Sequence, residues 1–140
     1  MGNSLKRFTD AQENTYAVAF SEIQQGRKKS HWMWFIFPQI AGLGFSETSR
    51  YYGIKDLEEA AEFLKHPVLG SRLISISREL LKLKTNDAHQ VFGSPDDLKL
   101  RSSMTLFSSL ENADPVFKMV LEKFFNGQMD AKTVHIISSV

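Results

Sequence analysis

Signals for the start and the end of helices recur along this sequence and limit the folds that it can adopt. Ser94-Pro95-Asp96-Asp97 combines a capping hydroxyl, a proline suited to the first helical position and two acids at the positive end of the helix dipole. Asp114-Pro115 repeats this pattern, and Asn126-Gly127 is typical of a helix end. No alternating apolar pattern is joined by a hairpin turn. The sequence therefore predicts an all-α fold.

Apolar residues at helical spacing locate further helices. A first helix is predicted over residues 5–23, with Gly26 as its stop. Asp56 is expected to cap a helix that closes at His66-Pro67, and Pro67 should open the next helix, whose apolar stripe is the longest and predicts a central position. Further caps are predicted at Ser30, Ser46, Asp87 and Asp130, the first of them for a short helix over residues 31–37. These signals predict about eight helices in a compact orthogonal packing.

The composition is that of a folded domain. Of the 140 residues, 42% are hydrophobic and 24% are charged, which is far from the signature of disorder. The length predicts one globular helical domain over residues 1–140. The absence of cysteine excludes disulfides, thiolate metal sites and cysteine nucleophiles. The longest strongly apolar run, residues 32–37, is too short to span a bilayer, and the first residues lack a secretory apolar region, so we expect a cytoplasmic protein with no membrane contact.

The charge balance bears on partners. The formal net charge is +1, so the chain has no overall field that would hold a polyanion. Any contact with nucleic acid would have to come from the local patch at residues 27–29. Generic nucleic-acid binding is therefore not expected.

One segment brings charge against aromatic surface. Residues 26–39 read GRKKSHWMWFIFPQ, in which three cations run directly into the only two tryptophans of the chain. Arg27 and Lys28 could hold an anion at a helix N-terminus, and Trp32 or Trp34 could stack on a ring. The wall of such a pocket could be completed by Gln39, Lys99 and Ser103. The leading hypothesis is therefore a pocket for a small anionic, nucleotide-like metabolite.

The same segment allows other interpretations. Aromatic residues at helical spacing are commonly core residues, in which case the indole N–H groups find internal partners and the cations are solvated. Part of the segment could instead be an exposed anchor for a partner protein. A third hypothesis is an enzyme in which His31 acts as general base within the same pocket, although the sequence identifies no carboxylate to assist it.

No motif specifies a reaction or a cofactor. His66, His89 and His135 do not have the spacing of metal ligands, so no metal site is predicted. Residues 42–46, GLGFS, match neither a nucleophile elbow nor a phosphate-binding glycine loop. Catalytic activity, cofactor and oligomeric state are therefore left open by the sequence.

Several short runs carry a family resemblance. They are Gly26-Arg27-Lys28, His31-Trp32-Met33-Trp34-Phe35, Phe37-Pro38-Gln39, Tyr52-Gly53-Ile54, His66-Pro67-Val68-Leu69-Gly70, Arg72-Leu73, Phe92-Gly93, Asp96-Asp97, Lys99-Leu100 and Ser102-Ser103-Met104-Thr105-Leu106-Phe107. Together they resemble an uncharacterised, largely bacterial family known only as a domain of unknown function, over nearly the whole chain. The resemblance implies a compact, mainly helical domain and supplies no activity, substrate or catalytic residue. The name calpastatin is sometimes attached to such proteins, but calpastatins are long disordered inhibitors, unlike this composition.

Overall fold

The computed structural model describes residues 5–138, and over these residues the fold is all-α, as the sequence predicted. Ten helices follow one another there: α1 Lys6–Gln12, α2 Tyr16–Gln24, α3 Met33–Ile36, α4 Glu47–Tyr52, α5 Leu57–Lys65, α6 Leu69–Leu81, α7 Ala88–Phe92, α8 Asp96–Ser108, α9 Val116–Phe125 and α10 Ala131–Ser138. None of these helices combines the length and the apolar character that crossing a membrane requires.

Two helices, α1 and α2, replace the single helix predicted over residues 5–23. The break falls at residues 13–15, where the Thr15 N–H donates to the Gln12 carbonyl at 3.1 Å. The Gln12 side chain, which is buried, donates to the Phe35 carbonyl at 2.7 Å and accepts from Arg72 at 3.3 Å. Asn and Thr are weak helix formers, because their side chains favour turns or lose freedom in a helix. The apolar spacing continues across the break and therefore hides it in the sequence.

Side-chain caps form at four of the predicted positions, Ser46, Asp56, Asp87 and Asp130. In each case the side-chain oxygen accepts a backbone N–H two or three residues further on, at distances of 2.9 to 3.3 Å. Helix α9 ends at the predicted Asn126-Gly127 pair, where φ is 54° and 77°. The Gly127 N–H donates back to the Leu121 carbonyl at 3.0 Å, which satisfies a carbonyl that the helix end would leave free.

Helices α6 and α8 begin differently from the prediction. Pro67 lies two residues before α6 begins at Leu69, and the imidazole Nδ1 of His66 accepts the N–H groups of Val68 and Leu69 at 3.1 and 3.2 Å. A histidine is not among the residues that signal a cap in a sequence. Helix α8 starts at Asp96 with Pro95 before it and has no side-chain cap from Ser94. The two acids of its first turn, Asp96 and Asp97, still lie at the positive end of the helix dipole.

The core forms where α6 packs against α2, α5 and α9, and where α8 packs against α9 and α10. The apolar stripe of α6 faces this core as predicted, through Leu69, Leu73, Ile76 and Leu80. Phe63, Phe107 and Phe117 make a row across it, with ring centroids 5.5 and 5.7 Å apart. All three rings are completely buried, and each contributes about 1.5–3 kcal/mol through lost contact with water.

A loop follows α3 where the sequence predicted one, over residues 40–45. Ile40 and Ile54 form an isolated parallel bridge at its base. The Ile54 N–H donates to the Gln39 carbonyl and the Ala41 N–H to the Ile54 carbonyl, each at 2.8 Å. These bonds hold the start of the loop against the chain after α4, so that the loop forms one side of a cavity.

Candidate functional site

A cavity of about 280 Å³ opens between this loop and the N-terminal half of α8. Its lining combines aromatic, amide and cationic side chains, among them Trp34, Gln39, Tyr52, Lys99 and Lys132. The lining also includes Leu98 and Ser102 of α8 and Asp130 before α10. Ligand pockets span roughly 300 to 1,000 Å³, so this cavity suits a small ligand.

Lys99 lies at the cavity between an aromatic ring and a carboxylate. Its Nζ is 4.0 Å from the centre of the Trp34 ring and 3.2 Å from a carboxylate oxygen of Asp96. The other oxygen of Asp96 lies 2.9 Å from the Nζ of Lys28. Two ammonium groups thus share one carboxylate, and the three side chains keep a net positive charge beside the cavity.

The ionisation of Asp96 keeps this arrangement intact at neutral pH. Burial alone would raise the pKa of Asp96, but hydrogen bonds and charge from Lys28 and Lys99 outweigh it and bring the pKa below its ordinary value of 3.8. The carboxylate therefore remains charged and orients the Lys99 ammonium over the Trp34 ring.

Gln39 lies in the lining of this cavity, and its side-chain amide bonds to no residue in the described part of the chain. The residue is 9% exposed, and within residues 5–138 its only hydrogen bond is the one that its backbone carbonyl accepts from Ile54. The hydroxyl of Tyr52, another lining residue, also bonds to none of residues 5–138, and burial raises the pKa of this phenol above its ordinary value of 10.0. Both groups keep some contact with solvent at the cavity, so they offer hydrogen bonds to a ligand that displaces that water.

The start of α10 brings two opposite charges to the cavity. Asp130 accepts from the N–H and the hydroxyl of Thr133 at 2.9 and 2.6 Å and lies 3.7 Å from Arg101, so its carboxylate is occupied. Lys132 is exposed and forms no ion pair with any carboxylate of residues 5–138. Its ammonium is therefore available to an anion in the cavity.

The structure divides the residues that the sequence proposed for the site. It brings Trp34, Gln39 and Lys99 together in the lining of the cavity. The remaining proposed residues are absent from that lining: Arg27, Lys28, His31, Trp32 and Ser103. Arg27 and His31 are exposed, whereas Trp32 and Ser103 are completely buried. Lys28 reaches the cavity only indirectly, through the carboxylate that it shares with Lys99.

Glu22 occupies the position where the sequence suggested a bound anion. Its carboxylate accepts from the backbone N–H groups of Lys29 and Ser30 at 2.8 and 3.0 Å, from the Ser30 hydroxyl at 2.6 Å and from the Trp32 indole at 2.9 Å. Ser30 therefore binds Glu22 and does not cap the helix predicted over residues 31–37, which shrinks to the single turn of α3. The hydrogen-bond donors of this segment are therefore bonded to a carboxylate of the protein itself, Glu22.

The pKa of Glu22 reflects these bonds. Desolvation alone would raise it, but the Ser30 hydroxyl, the Lys29 N–H, the Trp32 indole and the Ser30 N–H together bring the pKa to about 2. The carboxylate is thus fully charged at neutral pH. It ties α2 to the segment that carries both tryptophans.

Sequence reasoning missed Lys132 and Glu22. Lys132 lies 33 positions after Lys99 in the numbering, and only the packing of α10 against α8 brings the two into one lining. Glu22 reads in the sequence as one more charged residue near the end of a helix. A buried carboxylate of this kind has no local pattern, because its donors come from a turn seven to ten residues later.

Two other depressions differ in chemistry from this cavity. A groove of about 930 Å³ between α5, α6 and residues 109–114 carries Glu58, Glu111 and Asp114 in its lining. A depression of about 240 Å³ is mainly aliphatic, with Ile136 and Ile137 in its lining. Neither lining contains an aromatic residue. Over residues 5–138, no three histidine or carboxylate side chains come close enough together to hold a metal ion.

Comparison with known proteins defines the class. The chain is similar to a conserved hypothetical protein from Mycobacterium tuberculosis of known crystal structure, with 42% sequence identity, 99% of each chain covered and a TM-score of 0.95. Residues 2–137 match the family described as "Protein of unknown function (DUF1810)". The chain belongs to this family, as its motifs suggested. No curated protein matches it significantly.

Proposed function

We propose that this protein binds a small anionic ligand with a planar ring, of the size of a mononucleotide, in the cavity lined by Trp34 and Lys99. The observation that carries the proposal is the Lys99 ammonium, which lies 4.0 Å from the Trp34 ring at the edge of an open cavity. A cation fixed beside an aromatic surface can bind a phosphate and a ring of the same molecule. The cavity volume of about 280 Å³ argues against a dinucleotide.

Charge supports an anion over a neutral ligand. Lys99 shares the Asp96 carboxylate with Lys28, so binding of a phosphate to Lys99 would leave Asp96 paired with the second lysine. Lys132 adds an ammonium that no carboxylate of the described chain neutralises. A phosphate could therefore contact two ammonium groups without leaving a carboxylate unpaired.

Lys99→Ala is expected to weaken binding of adenosine 5′-monophosphate about 10- to 100-fold, because a hydrogen bond to a charged group contributes about 1.5–3 kcal/mol. Titration calorimetry of the wild type and the variant gives the ratio of dissociation constants. Lys132→Ala should act in the same direction, with a smaller effect because its ammonium is exposed.

Arg27→Ala is the matched control for these lysine variants. Arg27 is an exposed cation outside the cavity lining, so its loss changes the net charge equally without touching the cavity. If Arg27→Ala and Lys99→Ala weakened ligand binding equally, the effect would come from the overall charge. If only Arg27→Ala weakened binding, the ligand would bind at the segment before α3. Either result contradicts the proposed cavity.

A second candidate function, a protein-interaction domain, is favoured by exposed apolar side chains near the cavity. Phe45 is 80% exposed and Tyr51 60% exposed, and they lie in the loop after α3 and in α4. Within residues 26–39, the segment first suggested for an anchor, Trp32 and Phe37 are completely buried and cannot serve as one.

The interaction hypothesis predicts that the wild type self-associates and that the Phe45→Ser variant is monomeric. Replacing an 80% exposed ring costs little in folding, so the variant should remain folded. Light scattering after gel filtration measures the molar mass of both proteins. A monomeric wild type at high concentration, with the same mass for Phe45→Ser, would remove self-association from consideration.

A further inference from the structure

We infer that Gln39 recognises the hydrogen-bonding edge of a nucleobase, so that the ligand of the cavity is a nucleoside monophosphate whose base carries a donor next to an acceptor. This inference rests on the proposed function, since it concerns the same cavity. It adds the class of ring that the cavity selects and the residue that selects it.

The first argument is the cost of leaving Gln39 without partners. Its side chain has one acceptor and two donor hydrogens, and none of them bonds to another of the residues that the structure describes. The residue is only 9% exposed, and its amide keeps some contact with solvent at the cavity. A ligand that fills the cavity displaces that water, so a ligand that offers the amide no hydrogen bond would leave it unsatisfied. An amide at this position is explained by a bound group that pairs with it.

The second argument is the rigidity of the backbone that carries Gln39. Its carbonyl accepts from Ile54, and the Ala41 N–H donates to Ile54, each at 2.8 Å. Pro38 precedes it and fixes its own φ. An amide on such a support can recognise a ligand at low entropic cost, because little freedom remains to be lost on binding.

The third argument is the match between an amide and a base edge. A primary amide presents a donor and an acceptor side by side, and glutamine makes paired hydrogen bonds with adenine through this geometry. Sugars and inorganic anions do not present such an edge on a flat ring. Trp34 and Tyr52 in the same lining offer aromatic surface to the ring, and Lys99 and Lys132 offer charge to the phosphate. One nucleoside monophosphate uses all of these groups.

The test compares four probes by titration calorimetry on the wild type and on Gln39→Met: inorganic phosphate, ribose 5-phosphate, purine riboside 5′-monophosphate and adenosine 5′-monophosphate. Purine riboside lacks the exocyclic amino donor of adenine and is otherwise the same ring. We expect the wild type to prefer adenosine monophosphate over purine riboside monophosphate about 10-fold or more. In Gln39→Met this preference should disappear, while the affinity for ribose 5-phosphate stays unchanged.

The outcomes separate this inference from the proposed function. If the wild type binds ribose 5-phosphate as tightly as adenosine monophosphate, the cavity still binds anions but the recognition of a base is overturned. An unchanged preference in Gln39→Met overturns the role of Gln39 in the same way. If none of the four probes binds, the proposed function fails and the inference fails with it. The wild-type comparison of the two nucleotides needs no variant, so it decides the question even if Gln39→Met is unstable.

Discussion

Glu22→Gln is expected to lower the free energy of unfolding by about 3 kcal/mol, because the carboxylate accepts four hydrogen bonds and is 8% exposed. The amide that replaces it has one oxygen to accept, and its NH2 group would face other donors. The melting temperature of a 140-residue protein should fall by roughly 10 °C. Thermal unfolding followed by circular dichroism measures the change.

Glu62→Gln is the control for this prediction. Glu62 is exposed on α5, and its side chain makes no hydrogen bond or ion pair with any of residues 5–138. Its substitution should change the unfolding free energy by less than about 0.5 kcal/mol. If Glu22→Gln were equally mild, the carboxylate would not hold the segment before α3 in solution.

The low pKa of Glu22 makes the effect depend on pH. A carboxyl group whose pKa is lower in the folded state stabilises the fold above its unfolded pKa, and loses that contribution as the pH falls through the folded value. For Glu22 the ordinary value is 4.5 and the folded value about 2. The difference in unfolding free energy between wild type and Glu22→Gln should therefore shrink by about 3 kcal/mol between these two pH values. Urea unfolding at several pH values would measure it, and a constant difference would contradict the assignment.

Gly70→Ala is expected to destabilise the fold by about 4 kcal/mol or more, a large part of the total stability of a domain this size. A Cβ atom at Gly70 would lie 1.9 Å from the carbonyl oxygen of Leu64 and 2.8 Å from its carbonyl carbon. Both atoms belong to the backbone near the end of α5, so no side chain can rotate away to make room. Helices α5 and α6 would have to separate, and urea unfolding would detect the loss.

Gly93→Ala separates this steric effect from that of backbone conformation. Gly93 has a φ of 72°, but its Cβ would meet no atom within 4 Å. Its ψ of −173° places it in a region that is almost restricted to glycine, so an alanine there costs about 1–3 kcal/mol for the backbone conformation alone. If Gly70→Ala were no worse than Gly93→Ala, α5 and α6 would not approach as closely as the structure shows. Helix propensity alone would make Gly70→Ala favourable by about 1 kcal/mol, so the two arguments predict opposite signs.

The fold could be predicted to the extent that its signals are local. Caps such as Asp56 and Asp87 bond to N–H groups two or three residues away, so a few residues of sequence contain the whole interaction. The break between α1 and α2 could not be predicted, because Gln12 makes hydrogen bonds to Phe35 and Arg72, which are distant from it in the sequence. The cap of α6 by His66 was missed for another reason, since imidazole seldom has this role.

The candidate site was predictable only in part. Trp32 and Trp34 look alike in the sequence, but residues two apart point in different directions on a helical turn. Trp32 therefore faces Glu22 in the core, and Trp34 lines the cavity. Lys99 and Gln39 were proposed as members of the wall, and packing brings both to the cavity. No pattern near Lys132 in the sequence indicates that it lies in the same cavity as Lys99 and Gln39.

The central claim, that a nucleoside monophosphate binds beside Trp34, is tested most directly by nuclear magnetic resonance of the ¹⁵N-labelled protein. The chain has two tryptophans, so its spectrum contains two indole N–H signals, and Trp34→Phe assigns them. On titration with adenosine 5′-monophosphate, the Trp34 signal should move together with the Gln39 side-chain amide. The Trp32 indole, bonded to Glu22 at 2.9 Å, should stay in place. Shifts confined to the backbone of residues 27–31, or no shift at millimolar ligand, would contradict the proposed site.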